Sequence, residues 1–317
     1  MNAPSWFNEA IAQEARHQII EVQGCPIHYM TWGDMSLPGL VLIHGGAAHA
    51  HWWSFLAPLL ARRYAVVALD LSGHGDSGRR SEYPRRIWAD EVMGVIDAVD
   101  FIGPPIVVGH SMGGLVGIIT ASVYGDRLAG AIIIDAPVRK PDPESDSARR
   151  GQEFRRPKTY PDRETAKQHF RLVPSQPCEN TFILDYIAEH SLREVPIGPQ
   201  AQTAQTTVGP EAQIDQAKIE ITWKFDPRVF VRSSNDSIRD YLVSVRCRIA
   251  LMRGELSLVV PPETGEYMYE LLDRNAPMVD IPQAHHHLIL DQPLAFIAAL
   301  RALLSDWEHS LPRPRKP

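Results

Sequence analysis

The chain has 317 residues, of which 44 % are hydrophobic and 22 % are charged, and its formal net charge is −6. This length and apolar content are sufficient for one large domain or two small ones, and the mild negative charge gives no electrostatic reason to expect binding to nucleic acid or to an anionic membrane. The three cysteines are far apart and lack the spacing of a CxxC or zinc motif, which favours a reducing compartment.

The N-terminal stretch, residues 1–18, contains Glu9 and Glu14 and has no continuous apolar run. A secretory signal peptide requires such a run, so none is predicted. No window of the sequence approaches the roughly 18 to 20 apolar residues of a membrane span. We therefore expect a soluble, cytoplasmic protein.

From about residue 19 onward, short apolar runs alternate with amphipathic stretches. A hairpin is predicted near the start, and nearly all-apolar strands are predicted at 39–46, 64–71, 105–111, 129–137, 248–255 and 276–282. Helices are predicted at 52–62, 85–101, 111–124, 261–273 and 293–307. Strands that are covered on both faces read as continuous apolar runs, so this order predicts an α/β fold with a doubly wound, mostly parallel sheet. Ligands bind at the carboxyl ends of the strands in such sheets.

The alternation fails between about residues 138 and 245. This segment begins with a stretch rich in proline and charge, and helical patterns follow near 162–171 and 179–193. We expect residues 138–245 to form an inserted helical cap over the sheet. Residues 1–137 and 246–317 are then expected to form the core domain.

The stretch GHSMG, residues 109–113, places a lone serine where a predicted strand becomes a helix. It satisfies the G-x-S-x-G pattern of a nucleophile elbow, in which a sharp turn presents the serine Oγ above the sheet. Gly109 and Gly113 remove the Cβ atoms that would clash in so tight a turn. The sequence therefore predicts Ser111 as a nucleophile. The N–H group of Met112, at the start of the helix, is expected to be one of two oxyanion donors.

A nucleophilic serine needs a base, and the segment AHHHLILDQP contains three consecutive histidines after the last predicted strand. Together with LIHGG, ALDLSGHGDSG and VGHSMGG, this segment resembles the cap-bearing serine hydrolases of the α/β-hydrolase fold superfamily, which are esterase-like and epoxide-hydrolase-like. In that family the catalytic histidine stands five residues before the acidic residue that opens the last helix. Counting back from Asp291 gives His286, so the resemblance implies that His285 and His287 are loop residues.

The third member of a serine triad, the acid, departs from the family pattern. The resemblance places it three residues after a glycine that follows the seventh strand, but Ser257 stands there, three residues after Gly254. Two carboxylates remain: Asp135, at the end of the sixth strand, and Glu255. We favour Asp135, because some members of the family take their acid from that strand end, and Glu255 stays as the alternative.

The resemblance also implies the second oxyanion donor, which is the residue after the HG of the LIHGG segment, Gly46. Histidines 44, 49 and 51 suggest a metal site at first sight. No further ligands follow at close spacing, so we expect no metal there, because ligand count and geometry decide such sites.

The residue type of the nucleophile limits the classes of reaction that the protein can catalyse. Dehalogenases and epoxide hydrolases of the resembled family use aspartate at the elbow, and Ser111 excludes both. A serine suits hydrolysis of a carboxylic ester or lactone through an acyl-enzyme. We expect a small-molecule substrate and no cofactor, and the oligomeric state stays open. The alternatives are a C–C bond hydrolase of the same fold and a ligand-binding protein without turnover.

Overall fold

The computed structural model describes residues 3–140, 158–197, 218–231 and 237–310. Within them the strands are β1 Arg16–Val22, β2 Cys25–Trp32, β3 Gly39–Ile43, β4 Ala65–Leu69, β5 Ile106–His110, β6 Gly130–Ile134, β7 Leu192–Ile197, β8 Lys218–Trp223, β9 Arg248–Gly254 and β10 Met278–Ile281. Eight of them form one sheet in the order β1-β2-β4-β3-β5-β6-β9-β10. β2 runs antiparallel to both of its neighbours, β1 and β4, and the other pairs are parallel. The predicted α/β class with a mostly parallel sheet is confirmed.

The α-helices in the same residues lie mainly between the strands. They are α1 Ser5–Ile11, α2 Ala57–Leu60, α3 Arg85–Val99, α4 Met112–Tyr124, α5 Arg163–Gln168, α6 Thr181–His190, α7 Ile238–Val243, α8 Pro262–Leu271, α9 Leu288–Asp291 and α10 Pro293–His309. None of these helices is both long enough and apolar enough to cross a bilayer.

Two apolar layers cover the sheet. Along β3, Leu40 and Leu42 point into one buried cluster, while Val41 and Ile43 point into the cluster on the opposite face. Successive residues of a strand alternate between faces, so a strand that is buried on both faces must be apolar throughout. This explains why the run of apolar residues gave the correct strand.

The structure differs from the predicted secondary structure at three places. The helix expected at 52–62 is a 3₁₀ turn, Ala50–Trp53, followed by the short helix α2. Pro58 lies in the first turn of α2, and its missing N–H prevents a continuous helix through this point. Helix α1 was not predicted; its Phe7 is 3 % exposed and packs edge-to-face on Phe182, with ring centroids 4.9 Å apart.

The third place is the antiparallel pair β7–β8, which forms a separate two-stranded sheet in a segment for which no strand was predicted. The pair packs on the loops at the carboxyl ends of the parallel strands. Gly75 N–H, in the loop after β4, donates a hydrogen bond to the carbonyl of Lys224 (2.8 Å). The division of the chain into a core and a cap at residues 138 and 245 stays a prediction.

Buried and half-buried histidines form part of this contact. His49 Nε2 lies 2.8 Å from Ser191 Oγ, and the rings of His51 and His190 lie 4.1 Å apart between centroids. Burial lowers the pKa of His51 to about 3 and has the same effect on His74, in the loop after β4. Both side chains are therefore neutral when the folded protein is near neutral pH.

We expect the free energy of unfolding to fall as the pH is lowered from about 6.5 to about 5. A histidine with a pKa of about 3 in the folded chain and 6.5 in the unfolded chain takes up a proton on unfolding in this range. The unfolded state then binds more protons, so stability is lost below the unfolded pKa and is constant above it. Each such histidine costs about 2 kcal/mol at pH 5 relative to pH 7. Thermal unfolding across this range measures the effect.

The matched variants are His51→Gln and His309→Gln, of which His309 is exposed. The first should reduce the dependence of Tm on pH, and the second should leave it unchanged. A Tm that is the same in the wild type at pH 7 and pH 5 would contradict the burial of neutral histidines.

Candidate active site

Ser111 lies in the turn between β5 and α4, at the carboxyl edge of the sheet. Its backbone has φ 54° and ψ −118°, a combination that non-glycine residues rarely adopt. The Ser111 N–H donates to the carbonyl of Ile134 on β6 (2.8 Å) and so fixes the turn to the neighbouring strand. Packing holds this strained conformation in place.

The glycines on each side let the backbone approach closely. A Cβ atom on Gly109 would lie 2.2 Å from the carbonyl oxygen of Gly113, and one on Gly113 would lie 2.4 Å from the backbone oxygens of Ile43 and His44. These neighbours are backbone atoms that side-chain rotation cannot move. The pattern of glycines is thus required by the close packing of α4 on the ends of β3 and β5.

Ser111, His286 and Asp135 form a hydrogen-bonded chain. The Ser111 hydroxyl lies 3.0 Å from His286 Nε2, and His286 Nδ1 lies 2.6 Å from Asp135 Oδ2. His286 is 4 % exposed and Asp135 is 1 % exposed. With Nδ1–H donating to the carboxylate, the lone pair of Nε2 faces the serine hydroxyl, which is the tautomer that a general base needs.

Asp135 follows β6 directly and has a left-handed backbone with φ 45°. Besides the His286 ring, it accepts hydrogen bonds from Gly254 N–H (3.0 Å) and from Ser257 Oγ–H (2.7 Å). Ser257 occupies the position where the resembled family has its acid. Its hydroxyl instead donates to a carboxylate from the neighbouring strand and so helps to hold that carboxylate in place.

The alternative acid, Glu255, is exposed, and its carboxylate accepts a hydrogen bond from Gln283 N–H (2.9 Å). The structure does not bring this carboxylate to the His286 ring. Asp291 instead holds the histidine loop, since its Oδ2 accepts from His285 N–H (2.8 Å).

The two expected oxyanion donors lie on either side of Ser111. Gly46 follows β3, and Met112 is the first residue of α4; both line the same cavity as Ser111. Among the described residues, neither backbone N–H has a hydrogen-bond acceptor. The first N–H groups of a helix have no partner inside the helix and carry its positive dipole end, so the Met112 N–H suits an anion.

The cavity at Ser111 has a volume of about 240 Å³. Most of its wall is apolar or aromatic, with Trp52, Trp88, Leu115, Val173, Val229 and Phe230 among the lining side chains. Its polar side chains, besides Ser111, are Arg85, His110 and His287. Val173, Val229 and Phe230 come from the segment between 138 and 245, so this segment forms part of the wall.

Two further histidines surround the His286 ring. Burial lowers the pKa of His287 to about 3 and holds the pKa of His110 well below its ordinary value, with neighbouring histidines adding to both effects. Both rings are therefore neutral. An imidazolium at His286 would be balanced by Asp135 without a second positive charge beside it.

Sequence reasoning missed Ser257, Arg85, His110 and His287. His110 stands inside the GHSMG segment and His287 beside the expected base, so position in the chain was a signal for both. Ser257 was noticed only as a missing carboxylate. Arg85 comes from the start of α3, and no pattern in the sequence predicted that α3 reaches the cavity.

Comparison with curated proteins gives matches that cover only part of each chain. The chain is 24 % identical over 139 residues to epoxide hydrolase 4 of Mus musculus, covering 43 % of this chain and 38 % of that protein. It is 35 % identical over 99 residues to 2-hydroxy-6-oxo-6-(2'-aminophenyl)hexa-2,4-dienoic acid hydrolase of Metapseudomonas resinovorans, covering 30 % of this chain and 34 % of that protein. The chain thus spans between a third and two fifths of the length of these curated relatives.

Among solved structures, the chain is similar to E-2-(acetamidomethylene)succinate hydrolase with a TM-score of 0.73 and 18 % identity, covering 92 % of this chain and 100 % of that chain. At this identity the likeness shows the fold alone. The sequence profile of the alpha/beta hydrolase family matches residues 40–300, most of the chain. The resemblance noted from the motifs is therefore confirmed, and the chain belongs to the alpha/beta hydrolase family.

Proposed function

We propose that this protein is a serine hydrolase that cleaves a carboxylic ester or lactone of a small molecule through an acyl-enzyme. The observation that carries the proposal is the hydrogen-bonded chain from Ser111 Oγ through His286 to Asp135, with distances of 3.0 and 2.6 Å. Family membership and a relative that is named as a hydrolase support it.

In the first step, Ser111 Oγ attacks the substrate carbonyl carbon while His286 Nε2 takes the hydroxyl proton. The new O–C bond forms as the carbonyl electron pair moves to oxygen, and the N–H groups of Met112 and Gly46 stabilise the resulting oxyanion. Asp135 stabilises the imidazolium and holds its orientation. Ser257 and Gly254 donate to Asp135 and keep that carboxylate in place.

In the second step, His286 gives its proton to the alkoxide as the ester C–O bond breaks, which leaves the acyl group on Ser111. Water then attacks the acyl carbon, and His286 takes a proton from that water. The acid leaves when the Ser111–acyl bond breaks and the serine recovers its proton. His286 carries out every proton transfer in these steps, so the proposed mechanism needs no cofactor.

The substrate wall is shared between two parts of the chain. Val173, Val229 and Phe230 face Ser111 across a cavity of about 240 Å³, which is below the usual range of drug-sized ligand pockets. We therefore propose that residues 138–245 act as a cap and that short acyl groups are preferred. The spacing of the three cysteines supports a reducing, cytoplasmic location.

A second candidate reaction uses the same serine on a C–C bond of a carboxylate-bearing substrate. Arg85 is the charged side chain among the described residues that line the cavity, and its guanidinium suits a carboxylate. One relative is named for its action on a dienoic acid. Turnover of a dienoic acid of that type, with esters unreactive, would favour this reaction.

Steady-state hydrolysis of p-nitrophenyl esters from acetyl to decanoyl tests the proposal. We expect wild-type turnover that is fastest for short acyl chains. Ser111→Ala should lower kcat by about 10³-fold or more, and Asp135→Asn should lower it by about 10³- to 10⁴-fold, because each removes part of one catalytic unit.

Glu255→Gln is the matched control. Glu255 lies close in sequence to Ser257, which supports Asp135, but its carboxylate accepts a hydrogen bond from Gln283 N–H. Its kcat should stay within about threefold of wild type. A larger loss in Glu255→Gln than in Asp135→Asn would reverse the choice of acid. Stoichiometric binding of an ester or lactone without turnover would instead support the ligand-binding alternative.

The Ser257→Ala variant tests whether the hydrogen bond from Ser257 to Asp135 contributes to catalysis. Loss of one hydrogen bond to a buried charge should lower kcat by about ten- to a hundredfold with little change in KM, because the side chain does not contact the substrate. Ser257→Thr, which keeps the hydroxyl, should recover most of the activity. Exposed Ser244→Ala serves as the control, and an unchanged kcat in Ser257→Ala would show that the hydroxyl has no positioning role.

A further inference from the structure

His110, His286 and His287 form a buried cluster of three imidazoles, of which His110 and His287 line the cavity at Ser111. One ring nitrogen from each lies within 4.8 Å of the others. The ring centroids of His110 and His286 are 4.9 Å apart, and those of His286 and His287 are 4.8 Å apart. The three side chains are between 1 and 4 % exposed.

Nitrogens in this cluster are buried without partners. His110 Nε2–H donates to the backbone carbonyl of His286 (2.9 Å), which leaves a lone pair on His110 Nδ1, and that atom has no partner among the described residues. Neither ring nitrogen of His287 has a hydrogen-bond partner of good geometry among these residues, and the interactions of the ring with the backbone of Val173 and Pro174 only partly offset the effect of burial on its pKa. A buried polar atom without a partner costs about 1–3 kcal/mol, so a ligand that satisfied these atoms would be stabilised here.

The chemistry of the donors identifies the ligand. Neutral imidazole nitrogens are good ligands for zinc and its first-row neighbours and poor ligands for Mg²⁺ or Ca²⁺, which prefer oxygen. A tetrahedral zinc site with three histidines leaves one position open for water or another oxygen. His110 and His287 line the cavity together with Ser111, so the cluster adjoins the cavity and a side-chain oxygen.

We propose that His110, His286 and His287 bind a transition-metal ion of the Zn²⁺ class at the wall of the Ser111 cavity. The site needs His286 to release its hydrogen bond to the Ser111 hydroxyl and to turn the Nε2 lone pair to the ion. Binding and proton transfer from Ser111 therefore exclude each other. If the proposed hydrolase function is correct, the ion is an inhibitor of the enzyme.

A second cluster, His28, Asp70 and Asp76, shows by contrast why the first is open to a ligand. His28 Nδ1 already bonds Asp70 Oδ2 (2.7 Å), and Asp70 also accepts from the N–H groups of Ala50 and Asp76. These atoms satisfy one another. His44 Nε2 likewise accepts a hydrogen bond from Leu71 N–H (3.1 Å), and His49 Nε2 lies 2.8 Å from Ser191 Oγ, which leaves only Nδ1 of His49 without a partner among the described residues.

Isothermal titration of ZnCl₂ into the Ser111→Ala protein tests binding without any catalytic readout. This variant frees His286 Nε2 from the serine hydroxyl and keeps all three ligands. We expect one high-affinity ion per chain, no comparable binding of MgCl₂, and at least about tenfold weaker zinc binding when His287→Leu or His110→Asn is added. The control is His285→Ala, a neighbouring histidine outside the cluster, which should leave the affinity unchanged.

Thermal unfolding checks that each variant is folded, and His287→Gln replaces His287→Leu if the latter is not. Zinc should also inhibit wild-type ester hydrolysis, with recovery on addition of EDTA. Equal zinc affinity in the parent, His287 and His110 variants, or no binding of one ion per chain, would overturn the proposal. Zinc binding in a protein without ester turnover would keep the metal site and reject the proposed ester hydrolysis, so the two failures are distinguishable.

Discussion

The sharp turn between β5 and α4 is the constraint on which the site depends. The backbone at Gly109 and Gly113 packs so closely on neighbouring backbone atoms that neither position has room for a Cβ atom. Ser111, between these two glycines, adopts a strained conformation. The close approach brings the free N–H of Met112, the loop after β3 and the serine hydroxyl to one edge of the sheet. Substitution of Gly109 or Gly113 by any residue with a Cβ atom would push the helix away from the strands and so separate these groups.

The parallel sheet then decides which acid can reach the histidine. β6 and β9 are neighbours, and their carboxyl ends lie at the same edge, so Ser257 after β9 meets Asp135 after β6, and Asp135 in turn bonds the His286 ring. This explains how a chain that lacks the acid of the usual position still places a carboxylate on Nδ1.

Much of the fold was predictable because its strands are buried on both faces. Apolar runs such as residues 39–46, repeated in alternation with amphipathic stretches, are typical of strands covered on both faces, and the G-x-S-x-G pattern indicated the turn at Ser111. The pair β7–β8 and helix α1 were missed because their patterns are short and their stability comes from tertiary contacts, which a single sequence does not reveal. His110 and His287 were seen only as neighbours of other residues, since unpartnered nitrogens can be recognised only when all three rings are placed in space.

Labelling with a fluorophosphonate tests most directly whether His286 and Asp135 activate Ser111. The serine oxygen displaces fluoride from phosphorus, so the adduct remains on the protein and can be located by mass spectrometry of its peptides. We expect one adduct per chain on the peptide that contains Ser111, none in Ser111→Ala, and labelling slowed by about 10³-fold in His286→Asn. An adduct at another residue, or labelling that is equally fast without His286, would contradict the activation of Ser111 by this chain of hydrogen bonds.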